Sequence, residues 1–89
     1  MLGYWFYVKI NAFGLVFKNN FAVVTKIINK KHFNLKNGLY LGLIKQKQTR
    51  SLAIVKIEEL GDFKILIIKI KFKNNFKFSS FKLVFIKKI

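Results

Sequence analysis

The stretch Ser51-Leu52-Ala53-Ile54-Val55-Lys56-Ile57-Glu58-Glu59-Leu60, followed by Gly61, decides the fold class. Ile54, Ile57 and Leu60 recur at three-residue spacing, which lays them along one side of an α-helix. Ser51 is a residue type that accepts from the first free backbone N–H groups of a helix, and Gly61 tolerates the left-handed conformation that closes one. The spacing therefore predicts a helix over 51–60. A helix of about ten residues is unstable alone in water, so packing must hold it.

Upstream, Thr25 to Lys36 reads the same way. Thr25 suits the N-cap, Ile28, His32 and Leu35 fall at helical spacing among Lys26, Lys30 and Lys31, and Asn37-Gly38 supplies the stop. Between the two helices, Leu39 to Lys47 reads as a strand with Leu39, Leu41 and Leu43 on one face, and Gln46 to Arg50 as a polar loop. Downstream, Ile68, Ile70 and Phe72 alternate with Lys69, Lys71 and Lys73, Phe76 and Phe78 with Lys77 and Ser79, and Phe81, Leu83 and Phe85 continue the pattern. With a turn at Asn74-Asn75, that predicts an antiparallel sheet with one wet side over 63–85. Tyr4 to Phe17 is apolar and aromatic and reads as a strand or packed extension ending in a turn at Asn19-Asn20. The expected class is α+β: two short helices on a small antiparallel sheet over 21–89, preceded by an aromatic N-terminal extension over 1–20.

Composition bounds the function. The 89 residues amount to one small domain or part of one, with a marginal core, and the absence of Cys removes disulfides and thiolate metal sites as staples. At 53% hydrophobic, the chain is not a disordered basic tail. Phe, Tyr, Met, Ile, Asn and Lys supply 52 of the 89 residues, and all use AT-rich codons, which implies an AT-rich gene of the kind common in organelle genomes. Codon bias accounts for Lys over Arg but not for 17 Lys against two Glu, because Glu codons also lean to AT. A net charge of +15 opposes compaction, and a polyanion would relieve the repulsion while gaining affinity through counterion release. Nucleic acid and an anionic membrane surface are the partners this charge implies.

Several classes are excluded on expectation. Charge-free runs reach only about eight residues, against roughly 20 for a transmembrane helix, so no transmembrane span is expected. The N-terminus lacks the features of a secretory signal or a mitochondrial presequence. His32 is the only His, and reads as one more polar residue among lysines facing a polyanion. Glu58, Glu59 and Asp62 are the only carboxylates and crowd one helix end, where a solvated or ion-paired role outweighs acid–base work. No Gly-rich phosphate loop occurs. The expectation is no enzyme, no metal, no cofactor and no small-molecule substrate.

Two basic clusters carry the positive signal. Lys26, Lys30, Lys31 and Lys36 lead to Asn37, and Lys45, Lys47 and Arg50 interleave with Gln46, Gln48 and Thr49. Amines, amides and a hydroxyl together suit phosphate and ribose contacts, which position a protein on RNA without reading its sequence. The strand lysines Lys69, Lys71, Lys73 and Lys77 are weaker candidates, and most Phe residues read as core. Trp5 and Tyr7 are left over as anchors to a neighbouring protein.

Phe33-Asn34-Leu35-Lys36-Asn37-Gly38, Gln48-Thr49-Arg50-Ser51 and Ala53 to Phe63 together resemble the N-terminal half of the universal small-subunit ribosomal protein S-eight family, at its first-helix ending, the step into its second helix, and that helix with its close. The family's C-terminal half has no counterpart, so the resemblance implies a shortened or split member, with rRNA contact by Lys36, Asn37, Thr49 and Arg50. The expected function is a structural constituent of the small subunit of an organellar ribosome, mitochondrial in preference to plastid, contacting rRNA and neighbouring ribosomal proteins. The alternative is an organelle-encoded accessory subunit of a membrane complex, held at an anionic lipid surface by its aromatic extension.

Overall fold

A computed structural model describes residues 4–8, 15–18, 21–46, 49–71 and 80–89. They form seven strands and one 3-10 turn. The strands are β1 (Trp5–Val8), β2 (Leu15–Lys18), β3 (Phe21–Asn29), β4 (Gly38–Gln46), β5 (Thr49–Leu60), β6 (Phe63–Lys71) and β7 (Phe81–Lys88), and the turn is Lys30–His32. All belong to one sheet in the order β1-β7-β4-β5-β6-β3-β2, and every neighbouring pair is antiparallel.

The α+β expectation is overturned: neither expected helix forms. Ser51–Leu60 lies within β5, and Thr25–Lys36 divides into the end of β3, the 3-10 turn and an irregular segment. The helix implied at Ala53 to Phe63 by the ribosomal-family resemblance is likewise a strand, a turn and the start of another strand. The physical reason is local and tertiary together. Val23, Val24, Thr25, Ile27 and Ile28, and then Ile54, Val55 and Ile57, are β-branched, so their stiff side chains fit a pleated surface better than a helical turn. On β5 the decisive period is two: Ala53, Val55 and Ile57 are buried while Leu52, Ile54 and Lys56 are exposed. Gly61 does stop the element, at φ 59°, but as half of the two-residue turn that joins Leu60 to its partner Phe63 in a hairpin.

The strand expectations for Leu39–Lys47 and for Phe63 onward fall on β4, β6 and β7. Their middle part, including Asn74-Asn75 and the Phe–Lys alternation over 72–79, lies outside the described residues, as does Asn19-Asn20. Tyr4 to Phe17 contributes β1 and β2, the two outermost strands of the sheet.

One face of the sheet carries the core: Val24 on β3, Tyr40 and Ile44 on β4, Val55 and Ile57 on β5, Leu66, Ile68 and Ile70 on β6, and Phe81, Leu83 and Phe85 on β7, each at most 3% exposed. No second layer covers that face among the described residues, so the sheet buries it by rolling on itself. Close packing at the β4–β7 seam needs Gly42. A Cβ there would stand 2.9 Å from Leu83 Cδ1, beside the irregularity that shifts the register between Leu41 and Gly42. One end of the roll is filled by an aromatic cluster. Tyr4, Phe33 and Tyr40 each meet the Phe85 ring edge-on, with centroids 5.7–6.1 Å away, and the Tyr40 hydroxyl donates to the Lys36 carbonyl at 2.7 Å.

Candidate nucleic-acid interface

Rolling the sheet sends alternate residues of every strand outward, and the register decides which of them become neighbours. On the outer face, Tyr7 of β1 stands opposite Lys82 of β7, Lys82 opposite Lys45 of β4, and Lys45 opposite Arg50 of β5. Three cations thus lie side by side on three adjacent strands, with an aromatic ring at the end of the row. The next outward residue of β1, Trp5, makes an edge-on contact with Tyr7 at 5.8 Å and lies under the Lys82 ammonium, 4.1 Å from its ring centroid. Trp5 is 50% exposed and Tyr7 68%, so both rings remain accessible.

Like charges directly opposite across a strand pair are destabilising. The Trp5 ring under Lys82 offsets part of that cost, but no acidic side chain lies near the row. The chain's three acidic side chains, Glu58, Glu59 and Asp62, all sit at the β5–β6 turn, and Glu58 is eight residues from Arg50, about 27 Å along the strand. That exceeds two Debye lengths at physiological salt.

The acidic residues organise the opposite end of the roll. Lys56 pairs with Glu58 at 2.9 Å, and Lys64 with Glu59 at 3.1 Å. The nearly buried Lys64 ammonium also donates to Asn37 Oδ1 at 2.6 Å. The hydrogen bond from Lys64 holds the Glu59 carboxyl below its ordinary range, aided by the charges of Lys64 and Lys30. The Lys30 backbone N–H donates to the Asp62 carbonyl at 2.9 Å.

The structure therefore separates the two basic clusters read from the sequence. Lys30 lies beside Glu59 and Asn37 is engaged by Lys64 at the acidic end, and Lys31 and Lys36 are exposed in the segment between them. Lys26 belongs to neither surface: it alternates with the outward residues of β3, stands opposite the buried Leu66, and is half-buried. Of the second cluster, Lys45 and Arg50 join the outward row, Thr49 opens β5, and Lys47 and Gln48 lie outside the described residues. His32 is exposed in the 3-10 turn.

Lys82 is not among the sequence candidates, and from the sequence Trp5 and Tyr7 read as contacts to a neighbouring protein or, in the alternative, to a lipid surface, not to RNA. The alternation Phe81-Lys82-Leu83 marks Lys82 as outward, but its place beside Lys45 depends on pairing between residues far apart in sequence.

Neither a protein-family model, nor a curated protein, nor a solved structure matches the chain. Among the described residues no helix is long and apolar enough to cross a membrane, a statement that bears on helices alone.

Proposed function

We propose that this chain is a structural RNA-binding protein without a catalytic role, a constituent of an organellar ribosome, mitochondrial and in the small subunit. The observation that carries the proposal is the unneutralised row Lys82–Lys45–Arg50 with its flanking rings, Trp5 and Tyr7. Neighbouring strands set the three residues directly opposite one another, so their cationic side chains share one outward surface on which like charges disfavour one another and phosphate oxygens between them are favoured. The backbone reach of such a row is independent of base identity, as suits a protein that fixes the packing of folded RNA and of neighbouring proteins. An AT-rich composition and the excess of Lys over Glu support the organellar setting.

If the row and the nearby Lys69 and Lys71 engage roughly three to five phosphates, log K against log salt has a slope of about −2 to −3.5 on single-stranded RNA. Affinity then drops about 16- to 130-fold between 50 and 200 mM salt. Charge reversal at Lys45, Arg50 and Lys82 should abolish both binding and incorporation into ribosomal particles. A flat salt response, or normal incorporation of that variant, would refute the assignment.

A membrane-surface role has one observation in its favour, the outward apolar residues Leu39, Leu52 and Ile54 on β4 and β5. Fractionation separates the two. Co-sedimentation with ribonucleoprotein and release by ribonuclease support the RNA role, and release by detergent alone supports the membrane role.

A further inference from the structure

One rung below the cation row, the outer face changes character. Lys45 and Arg50 form one outward pair of the β4–β5 ladder, Leu43 and Leu52 the next, and Leu41 and Ile54 the one after. Beside Ile54 the sheet continues to Lys69 of β6, and Lys71 of β6 stands opposite Phe21 of β3. Leu41, Leu52, Ile54, Phe21, Lys69 and Lys71 line an open cleft of about 390 Å³. Its walls are aliphatic and aromatic, and among the described residues its charged side chains are two ammonium groups, one of them 4.4 Å from the centroid of the Phe21 ring.

We infer that this cleft seats an unstacked base of single-stranded RNA whose phosphates lie on Lys69, Lys71 and the Lys45–Arg50 pair. The inference rests on the RNA-binding proposal above and specifies its substrate as single-stranded or looped RNA in place of a continuous duplex. Three features favour this occupant. The cleft is apolar but framed by cations, which matches a flat ring carried on an anionic backbone. It is continuous with the phosphate row, since Leu52 lies two residues from Arg50 on the same face of the same strand. The exposed rings of Trp5 and Tyr7 stand at the far end of that row, where a neighbouring base can stack. A duplex would present its phosphates but keep its bases stacked, leaving the cleft and both rings unused.

The test measures binding of the full chain to a short oligouridylate, to the same oligonucleotide with abasic sites, and to a duplex of equal phosphate number. The intact single strand should bind roughly 5- to 150-fold more tightly than the abasic one, the range expected for stacking one base. Leu52→Ser, or the milder Ile54→Thr, should narrow that difference to what stacking on Trp5 and Tyr7 contributes and leave abasic binding unchanged. Both sites are partly exposed, so the fold tolerates the change. Leu60→Ser, a similarly exposed apolar residue remote from the cleft, should alter neither. Equal binding of intact and abasic strands with a steep salt slope would overturn the cleft and leave the phosphate row standing, as would tighter binding of the duplex. Weak, salt-independent binding of every probe would overturn the RNA proposal itself.

Discussion

Lys45 is flanked on both sides by cations, directly opposite Lys82 and Arg50, so its replacement by Gln should make the isolated protein more stable and its RNA binding weaker. Two unit charges about 6 Å apart in water repel by roughly 0.7 kcal/mol. Directly opposed like charges in sheets fall in the range of about 0.2–1 kcal/mol. Lys45 takes part in two such pairs, so removing its charge should return about 1 kcal/mol at low ionic strength. For a domain of this size that corresponds to a rise in melting temperature of roughly 4–8 °C. At about 1 M salt, where the Debye length is near 3 Å, the gain should vanish. Thermal melts of Lys45→Gln at low and high salt measure this directly, and RNA titrations of the same samples should give a salt slope shallower by about 0.7. Lys56→Gln is the control: Lys56 has Glu58 as an exposed partner, so its loss should lower stability slightly, by less than about 1 kcal/mol. If Lys45→Gln melts lower than the parent at low salt, or if RNA affinity is untouched, the cations are not held in mutual repulsion for a polyanion.

Other perturbations probe the roll and its acidic end. Ile68→Ala empties a site that is fully buried and should cost about 2–5 kcal/mol by chemical denaturation. Gly42→Val inserts a strand-favouring residue into a strand, yet should destabilise by about 1–3 kcal/mol, because its Cβ would crowd Leu83 at the β4–β7 seam; a gain in stability would deny that close approach. Glu59 titrates below its ordinary value of 4.5 because of Lys64 and Lys30, so its stabilising contribution is present above that value and lost as pH falls through the lowered one. Acid unfolding of Glu59→Gln should accordingly show a shallower loss below about pH 4.5 than the parent, and identical acid limbs would remove this pair from the account.

How much was legible in the sequence varied with the range of the interaction. The alternation Ile68-Lys69-Ile70-Lys71 settles both the strand and its faces, because each inward position is apolar and each outward one charged. Leu39, Leu41 and Leu43 do share a face, but it is the outer one, since Tyr40, Gly42 and Ile44 point into the roll. Ser51–Leu60 was ambiguous in principle: Ile54, Ile57 and Leu60 fit a helical stripe while Ala53, Val55 and Ile57 fit a strand face, and a strand apolar on both faces blurs the period-two signal. Tertiary pairing with β4 and β6 broke the tie. The outward cation row was the least legible part. Lys45 and Arg50 stand out as a local basic cluster, but Lys82 and Tyr7 join them only through registers between distant segments. The β3–β6 register takes Lys26 off that surface, and Lys30 lies beside Glu59 at the acidic turn.

The most direct measurement is ultraviolet cross-linking of the protein to RNA in its native particle, with the cross-linked peptides located by mass spectrometry. Cross-links should concentrate on Trp5, Tyr7, the Lys45–Arg50 pair and Lys82. Cross-links confined to the Lys30–Asn37 segment and the Leu60–Phe63 turn, or none at all, would contradict the assignment of the acid-free outer row as the face that meets RNA.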